Sequence, residues 1–278
     1  MVGVTDRSPV KKALALRSAV RNWPLVVLDK LGLRRFCTYE FRLGVKVVCR
    51  ARSNDINEAV AILAGLEYPA EYLHIRAGGV VVDVGAHLGS FVMFFDALHR
   101  GTPYQGFAFE PHRENFSLLA RNVAANNITR FQLIEAAVTG RDGSVYLRTD
   151  CEPDVVAVSD EVTETRAQSH KLSTFCQRNG IVEIDLLKID AEGSEYELLA
   201  ADYDFIRRRV RGIILEYHNL SDVHTLDWVV EKTHQHFHLE KIRLGKGSGV
   251  LFLANASLRQ THTQEARPVG LGGGRMAE

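Results

Sequence analysis

The stretch Gly79–Ser90, GVVVDVGAHLGS, decides how the rest of the chain is read. Val80, Val81 and Val82 form a β-branched run suited to a strand buried on both faces. Asp83-Val84-Gly85 ends that run in a turn leading into a helix over Leu88 to Leu98. A strand, tight turn and helix in this order let backbone amides approach a ligand. Gly85 and Gly89 present no side chain to obstruct it, and the first helical turn adds partial positive charge. A nucleotide-like ligand is expected there.

The spacing selects among such ligands. A dinucleotide fingerprint needs three glycines to take a pyrophosphate, whereas Gly85-Ala86-His87-Leu88-Gly89 supplies two, four apart, with Asp83 two residues ahead. An acid beside the turn repels a pyrophosphate and attracts an amino-acid ammonium group, such as that of S-adenosylmethionine. A plain strand-to-helix connection uses the same two glycines, so the remainder of the chain has to discriminate.

With 278 residues, the chain allows one large domain or one domain with an added subdomain. Lys plus Arg and Asp plus Glu are both 34, so the balance calls for neither nucleic acid nor an anionic membrane surface and leaves a small or neutral partner. A homo-oligomer is compatible with the same composition. Cys37, Cys49, Cys151 and Cys176 lack C-x-x-C spacing, which argues against a zinc site or redox pair and fits a reducing compartment, with a disulfide between two of them left open. No apolar segment is long enough to span a bilayer and no signal-peptide pattern is present, so a cytoplasmic protein is expected.

In chain order, Met1 to Pro9 is expected to be disordered. Val10 to Leu31 mixes Lys11, Lys12, Arg17 and Arg21 with apolar residues. It reads as a basic helix capping the domain or lining the substrate mouth, with a membrane-surface helix as the alternative. Thr38 to Leu43 and Val45 to Arg50 suggest a hairpin hinged at Gly44, and Asn54 or Asp55 caps a helix over Ile56 to Leu66. Residues 1–78 thus form an accessory cap, 79–256 the main domain, and 257–278 a flexible tail with a Gly-rich run after Pro268.

From Gly79 onward strands and helices alternate. A strand at Phe107–Glu110 precedes a helix over Glu114–Asn126, and a third strand covers Phe131–Val138, which implies a parallel sheet with helices on both faces. Ser144–Arg148 adds a short hairpin strand, while Cys151–Ser169 lacks periodicity and is expected to be a mobile loop near the substrate. The helix Ser173–Asn179, the strand Ile184–Asp190, the helix Glu195–Ala201 and the strand Gly212–Tyr217 follow. Ser221 or Asp222 then caps a helix through about His236. Leu239–Leu244 and Val250–Leu253 close a seven-stranded mixed sheet as an antiparallel hairpin, with Lys246–Gly249 as its turn.

Ligands of an open α/β sheet bind beyond the carboxyl ends of its strands. Asp83, His87, Glu110, Glu135, Asp190, Glu192, Glu216 and His218 all fall there. Each alone reads equally well as a cap for the next helix, and only their clustering points to a site. Glu110 ends the second strand roughly 20 residues past the glycine turn, where an acid accepts both ribose hydroxyls of an adenosine. The stripe His234, His236, His238 has no acid partner and sits at i, i+2 spacing, which does not make a metal set.

VVVDVGAHLGSF, FAFEPHRENFSLL, IDLLKIDAEGSEYELL and ILEYH together resemble the FkbM-type family of S-adenosylmethionine-dependent methyltransferases. The resemblance spans about Asp55 to Phe252, and LKIDAEGSEYELL is its specific part. It implies a class I methyltransferase (Rossmann-like) fold and methyl transfer from S-adenosylmethionine to an oxygen, commonly a hydroxyl of a saccharide or of a glycosylated or secondary metabolite. Carried over, Asp83, Gly85 and Gly89 hold the methionine end, with His87 and Ser90 in the same turn. Glu110 takes the ribose, and Glu135 with Ala136 the adenine. His87 departs from the Asn frequent in the family's loop and puts the carboxylate contact in question.

A hydroxyl is a poor nucleophile and needs a base or a metal to lose its proton. His218, expected to titrate near neutrality, is the first choice of base. Asp190 and Glu216 end neighbouring strands and orient the acceptor or ligate Mg²⁺, and Lys188 pairs with Asp190 or Glu192. Substrate choice is expected to reside in Asp150–Ser169, the cap and the segment after His218. The alternatives are an N-methyltransferase or other small-molecule methyltransferase, and a non-catalytic S-adenosylmethionine-binding module. A nicotinamide-dependent dehydrogenase is disfavoured by the missing third glycine.

Overall fold

The structure, a computed structural model, describes residues 9–32, 34–152, 155–159, 163, 165–219, 221–245 and 247–258. Of the segments expected to be disordered or flexible, Met1–Pro9 and 257–278, residues 1–8 and 259–278 lie outside the described ones, as does Lys246, whereas Pro9 begins the first helix. The chain begins with α1 (Pro9–Ala19), α2 (Leu25–Leu31), β1 (Phe36–Glu40), β2 (Lys46–Arg50) and α3 (Asp55–Leu63). The single basic helix expected over Val10 to Leu31 is therefore two. The break is tied to the hairpin: Val20 bridges to Phe41, and the Asn22 side chain donates to Thr38 O and accepts from Glu40 N. The hairpin itself is as expected, with Gly44 at φ +82°.

Next come β3 (Gly79–Val84), α4 (Ser90–Leu98), β4 (Tyr104–Phe109), α5 (Arg113–Ala125), β5 (Phe131–Ile134), β6 (Ala136–Thr139), β7 (Gly143–Glu152), β8 (Val155–Ser159) and β9 (Thr165–Lys171). They are followed by α6 (Leu172–Arg178), β10 (Ile184–Ile189), α7 (Glu195–Arg209), β11 (Val210–His218), α8 (Leu226–Thr233), β12 (Phe237–Leu244) and β13 (Ser248–Asn255). Seven strands form one sheet in the order β12-β13-β11-β10-β3-β4-β5, and β13 alone runs against the others. The chain leaves β3 toward β4 and β5, then returns on the other side at β10. The switch point, where a crevice opens at the strands' carboxyl ends, thus lies between β3 and β10. The β3–β10 register sets Lys188 beside Asp83.

Every residue of β10 is buried, as a central parallel strand requires. One face of the sheet packs under α6, α7 and α8 through residues such as Leu187, Leu198 and Val229. On the other face the cap and α4 share one core, in which Tyr39, Val47 and Ile56 join Phe91 and Phe95. Asn122 and Asn126 of α5 accept the Val48 and Lys46 amides at 2.7 and 2.8 Å, so the outer edge of β2 is bonded to the helix.

Three sequence expectations change here. The strand expected over Phe131 to Val138 divides at Glu135, where the chain leaves the main sheet and enters a second, four-stranded one ordered β6-β9-β7-β8. The loop expected over Cys151 to Ser169 is largely the strands of that second sheet. Its small core is Ala137, Val145, Leu147 and Ala167, and the inward face of β9 presents Ala167 and Ser169, too weakly apolar to register as alternation. The helix after β11 also starts later than expected. Thr225 caps α8 by accepting from Trp228 N, while Ser221 accepts from His224 N within a turn.

Candidate active site

Gly85 and Gly89 both adopt left-handed backbone, at φ +79° and +92°. A Cβ on Gly85 would lie 1.7 Å from Asp190 O, and one on Gly89 2.7 Å from Leu119 Cδ1. The glycines are therefore required by the chain's own close packing. The turn's amides are also engaged: Gly85 N and Ala86 N donate to Phe109 O at 3.0 and 2.8 Å, and His87 N to Glu110 Oε2 at 2.8 Å. This corrects the expectation that the turn presents these amides to a ligand.

The unmet hydrogen-bonding capacity lies on side chains instead. Among the described residues, the buried side-chain polar atoms without a hydrogen bond are both Asp83 carboxylate oxygens, Ser90 Oγ and His112 Nδ1. All belong to the carboxyl end of β3, the first residue of α4 and the segment after β4. Such an atom costs about 1–3 kcal/mol when left unpaired, so their concentration at one crevice suits a polar ligand. Burial raises the Asp83 carboxyl above its ordinary range, opposed by Lys188 at 3.1 Å, which is an ion pair without hydrogen-bond alignment.

Two neighbouring side chains are held more fully. Glu110 is buried and accepts from His87 N and His112 N, one on each oxygen, and burial raises its pKa against these contacts. His87, at φ +48°, places Nδ1 2.9 Å from Glu58 Oε1 and Nε2 2.9 Å from Arg50 Nη2. Burial opposes a charge on this ring while Glu58, Glu110 and Asp55 favour one, raising its pKa to about 9. A doubly protonated ring would nevertheless set two donors, Nε2–H and Nη2–H, against each other. The hydrogen bonds select the neutral Nδ1–H tautomer. Glu135 is exposed in the link between β5 and β6, and Ala136 beside it is buried.

A second cluster surrounds the ends of β10 and β11. Lys188 is buried and its Nζ donates to Gly85 O at 2.8 Å, with Asp83 Oδ1 at 3.1 Å and Asp190 Oδ2 at 3.3 Å. Of the partners anticipated from sequence, it takes Asp190 and not Glu192. His218 directs Nδ1 to Glu195 Oε1 at 3.1 Å and Nε2 toward Glu192 Oε2 at 3.4 Å. Glu195 is fully buried and also accepts from His218 N at 3.0 Å and Gly193 N at 2.7 Å.

Burial lowers the His218 pKa, but the Glu195 hydrogen bond and the Glu192 charge outweigh it and raise the value to about 9. The expected titration near neutrality is thereby displaced upward. Glu192, itself at φ +47°, is raised to about 7 by burial and then by Asp190. Glu216 is pushed well above the carboxylate range by burial, then by Asp190 and Glu67. Asp190, Glu216 and His218 each offer a ligand atom, all within 4.8 Å of one another.

Residues 83–243, more than half of the chain, match the Methyltransferase FkbM domain. The chain belongs to the FkbM methyltransferase family. Among characterised relatives, the 31-O-demethyl-FK506 methyltransferase FkbM of Streptomyces tacrolimicus is 27% identical over 182 residues, covering 54% of this chain and 69% of that protein. The solved methyltransferase FkbM of Methylobacillus flagellatus KT is 13% identical with a TM-score of 0.49. It covers 84% of this chain, which spans 59% of that protein's length. TrmK of M. capricolum, solved with S-adenosyl-homocysteine, is 12% identical with a TM-score of 0.41 and a coverage of 66% of each chain.

This FkbM-family methyltransferase has the class I methyltransferase sheet, with its one reversed strand between β11 and β12. No helix among the described residues is long and apolar enough to cross a membrane. Of the residues singled out from sequence, Asp83, Lys188 and Asp190 are joined by ion pairs, and Glu192 and His218 by another. His87 and Glu110 meet at the glycine turn, whereas Glu135 stands apart in its exposed link. Glu195, Arg50, Asp55 and Glu58 were not singled out. Glu195 reads as an ordinary first-turn acid of α7, and the other three lie before the glycine turn, in a cap with no readable motif.

Proposed function

We propose that this methyltransferase uses S-adenosylmethionine to methylate a hydroxyl of a saccharide or of a glycosylated or secondary metabolite. The observation that carries the reading is the pairing of two unlike clusters across the β3–β10 switch point. One has buried polar atoms without a hydrogen bond at Asp83, Ser90 and His112; the other holds a histidine between two glutamates. Asp83, Gly85, His87, Gly89 and Ser90 would hold the methionine end. Glu110, whose oxygens each keep a lone pair beyond their amide contacts, would take the ribose, and Glu135 with Ala136 the adenine. Bound there, the cofactor supplies a methyl group already made electrophilic by its sulfonium.

The chain's own task is to align the acceptor oxygen and remove its proton. Glu195 keeps the proton of neutral His218 on Nδ1, leaving Nε2 as the acceptor. The hydroxyl proton passes to Nε2, and Glu195 and Glu192 stabilise the resulting imidazolium. Asp190 and Glu216 orient the hydroxyl. The proximity of their oxygens to His218 also supports a second reading, in which Asp190 and Glu216 ligate a divalent cation such as Mg²⁺. The Streptomyces tacrolimicus relative is named for an O-demethyl substrate, which favours oxygen over nitrogen. Cys37, Cys49 and Cys176 are free thiols, which fits a reducing compartment such as the cytoplasm.

Calorimetry with S-adenosylhomocysteine, followed by transfer of a labelled methyl group to hydroxylated and amine acceptors with and without chelator, tests this reading. Binding and labelling of oxygen are expected. No binding, or label on nitrogen alone, overturns it, and loss of activity on chelation assigns Asp190 and Glu216 to a cation.

A further inference from the structure

His87 occupies left-handed backbone, which is uncommon for any non-glycine residue even though Asn, Asp and His adopt it more often than others, and it does so in the turn on which the cofactor site is built. Both ring nitrogens are held by residues of the cap: Nδ1–H donates to Glu58 Oε1 at 2.9 Å and Nε2 accepts from Arg50 Nη2 at 2.9 Å. Arg50 is itself immobilised. Its Nη2 and Nε reach the fully buried Asp55 at 2.8 and 3.0 Å, its backbone amide donates to the same carboxylate at 2.7 Å, and Nη1 donates to Asn115 at 3.0 Å. At the other end of the relay, the His87 amide orients Glu110 at 2.8 Å. The run Asp55–Arg50–His87–Glu110 therefore joins the end of the cap hairpin to the carboxylate at the end of β4.

We propose that the cap is a working part of the cofactor site: Arg50 and Glu58 are positioning residues that hold His87 in left-handed backbone and thereby fix the orientation of Glu110. The inference rests on the reading that this turn receives S-adenosylmethionine. His87 is stabilised in left-handed backbone by partners from another part of the chain.

Because loss of Arg50 would strand the buried Asp55 charge and threaten folding, the test uses Glu58. In the wild-type background, Glu58→Ala is expected to weaken S-adenosylhomocysteine binding about fivefold, because His87 is released from left-handed backbone. Glu58→Gln, which keeps an acceptor for Nδ1–H, restores most of the affinity. In a His87→Gly background, where left-handed backbone needs no support, Glu58→Ala has no further effect. An equal loss in both backgrounds, or none in either, overturns the proposal. Hydrogen exchange of residues 85–90 in the ligand-free protein provides a separate readout. Faster exchange in Glu58→Ala that disappears in the His87→Gly background supports the positioning role, and unchanged exchange refutes it. If the wild-type chain fails to bind S-adenosylhomocysteine, the cofactor reading fails and the exchange measurement alone decides the positioning role.

Discussion

The turn after β3 and the turn after β10 are built alike and chemically unlike. Each places a non-glycine residue in left-handed backbone, His87 at φ +48° and Glu192 at +47°, and each sets a histidine between charged partners. In the first turn the Gly85, Ala86 and His87 amides are taken by Phe109 and Glu110 and both ring nitrogens of His87 by Glu58 and Arg50, while Asp83 and Ser90 beside them lack a hydrogen bond. In the second, charge remains unsettled, with Glu192 raised to about 7, His218 to about 9, and Glu216 accepting no hydrogen bond from the described residues. A closed network makes a rigid mount, and an unsettled one exchanges protons. On the proposed function, positioning falls to the β3 turn and chemistry to the β10 turn.

The largest expected effects fall where the two turns touch. Gly85→Ala combines a left-handed φ with a Cβ 1.7 Å from Asp190 O, and it is expected to lower stability by more than about 4 kcal/mol in denaturant titrations. A soluble variant with a wild-type midpoint would show that the turns are not interlocked. Lys188→Met leaves Asp83 buried without its cation and is expected to cost about 3–5 kcal/mol, most of it recovered by adding Asp83→Asn. Unequal recovery would locate the rest of the loss in Asp190, the second carboxylate on Lys188.

The contrast was only partly legible in the sequence. Valines 80 to 82 and the run Ile184 to Ile189 announce the central strands because burial on both faces demands continuous apolar residues. Of the second sheet the strand at Ser144–Arg148 was legible, whereas β9 was not, because its buried face presents Ala167 and Ser169. Asp83, Asp190, Glu192, Glu216 and His218 could be placed from strand ends alone. Glu195 could not, because a buried acid binding a histidine 23 residues later has the same letter and position as a helix-stabilising one. Likewise, spacing does not disclose that Arg50 and Glu58 fold onto His87, since the cap's position comes from tertiary packing.

Proton traffic at the β10 turn provides the next measurements. On an identified acceptor, His218→Ala is expected to lower kcat about 100-fold while leaving S-adenosylhomocysteine affinity within about threefold of wild type. Since only neutral His218 accepts a proton, kcat should rise with pH toward about 9. Glu195→Gln should move that limb toward acid. Stability should move oppositely. The folded pKa lies above the unfolded value of 6.5, so the contribution of charged His218 is complete below that pH and is lost as pH rises through about 9, amounting to about 3 kcal/mol. The raised Glu192 carboxyl acts in the same direction between 4.5 and about 7, since its protonated form is favoured on folding. A stability difference between wild type and His218→Ala that stays constant from pH 6 to 9 would remove the distinction between the two turns.

The smallest effect separates the mount from its occupant. Ser90 Oγ is buried at the start of α4 without a hydrogen-bond partner, so the folded chain bears an unmet hydroxyl that a ligand group could satisfy. Ser90→Ala should therefore leave the ligand-free protein as stable as wild type or more stable by up to about 1 kcal/mol, while S-adenosylhomocysteine affinity falls by about three- to tenfold. Both signs matter. A hydroxyl that merely packs would lose stability and affinity together or change neither. A fall in affinity with a gain in stability identifies a group whose cost in the free protein is offset only when the crevice is filled.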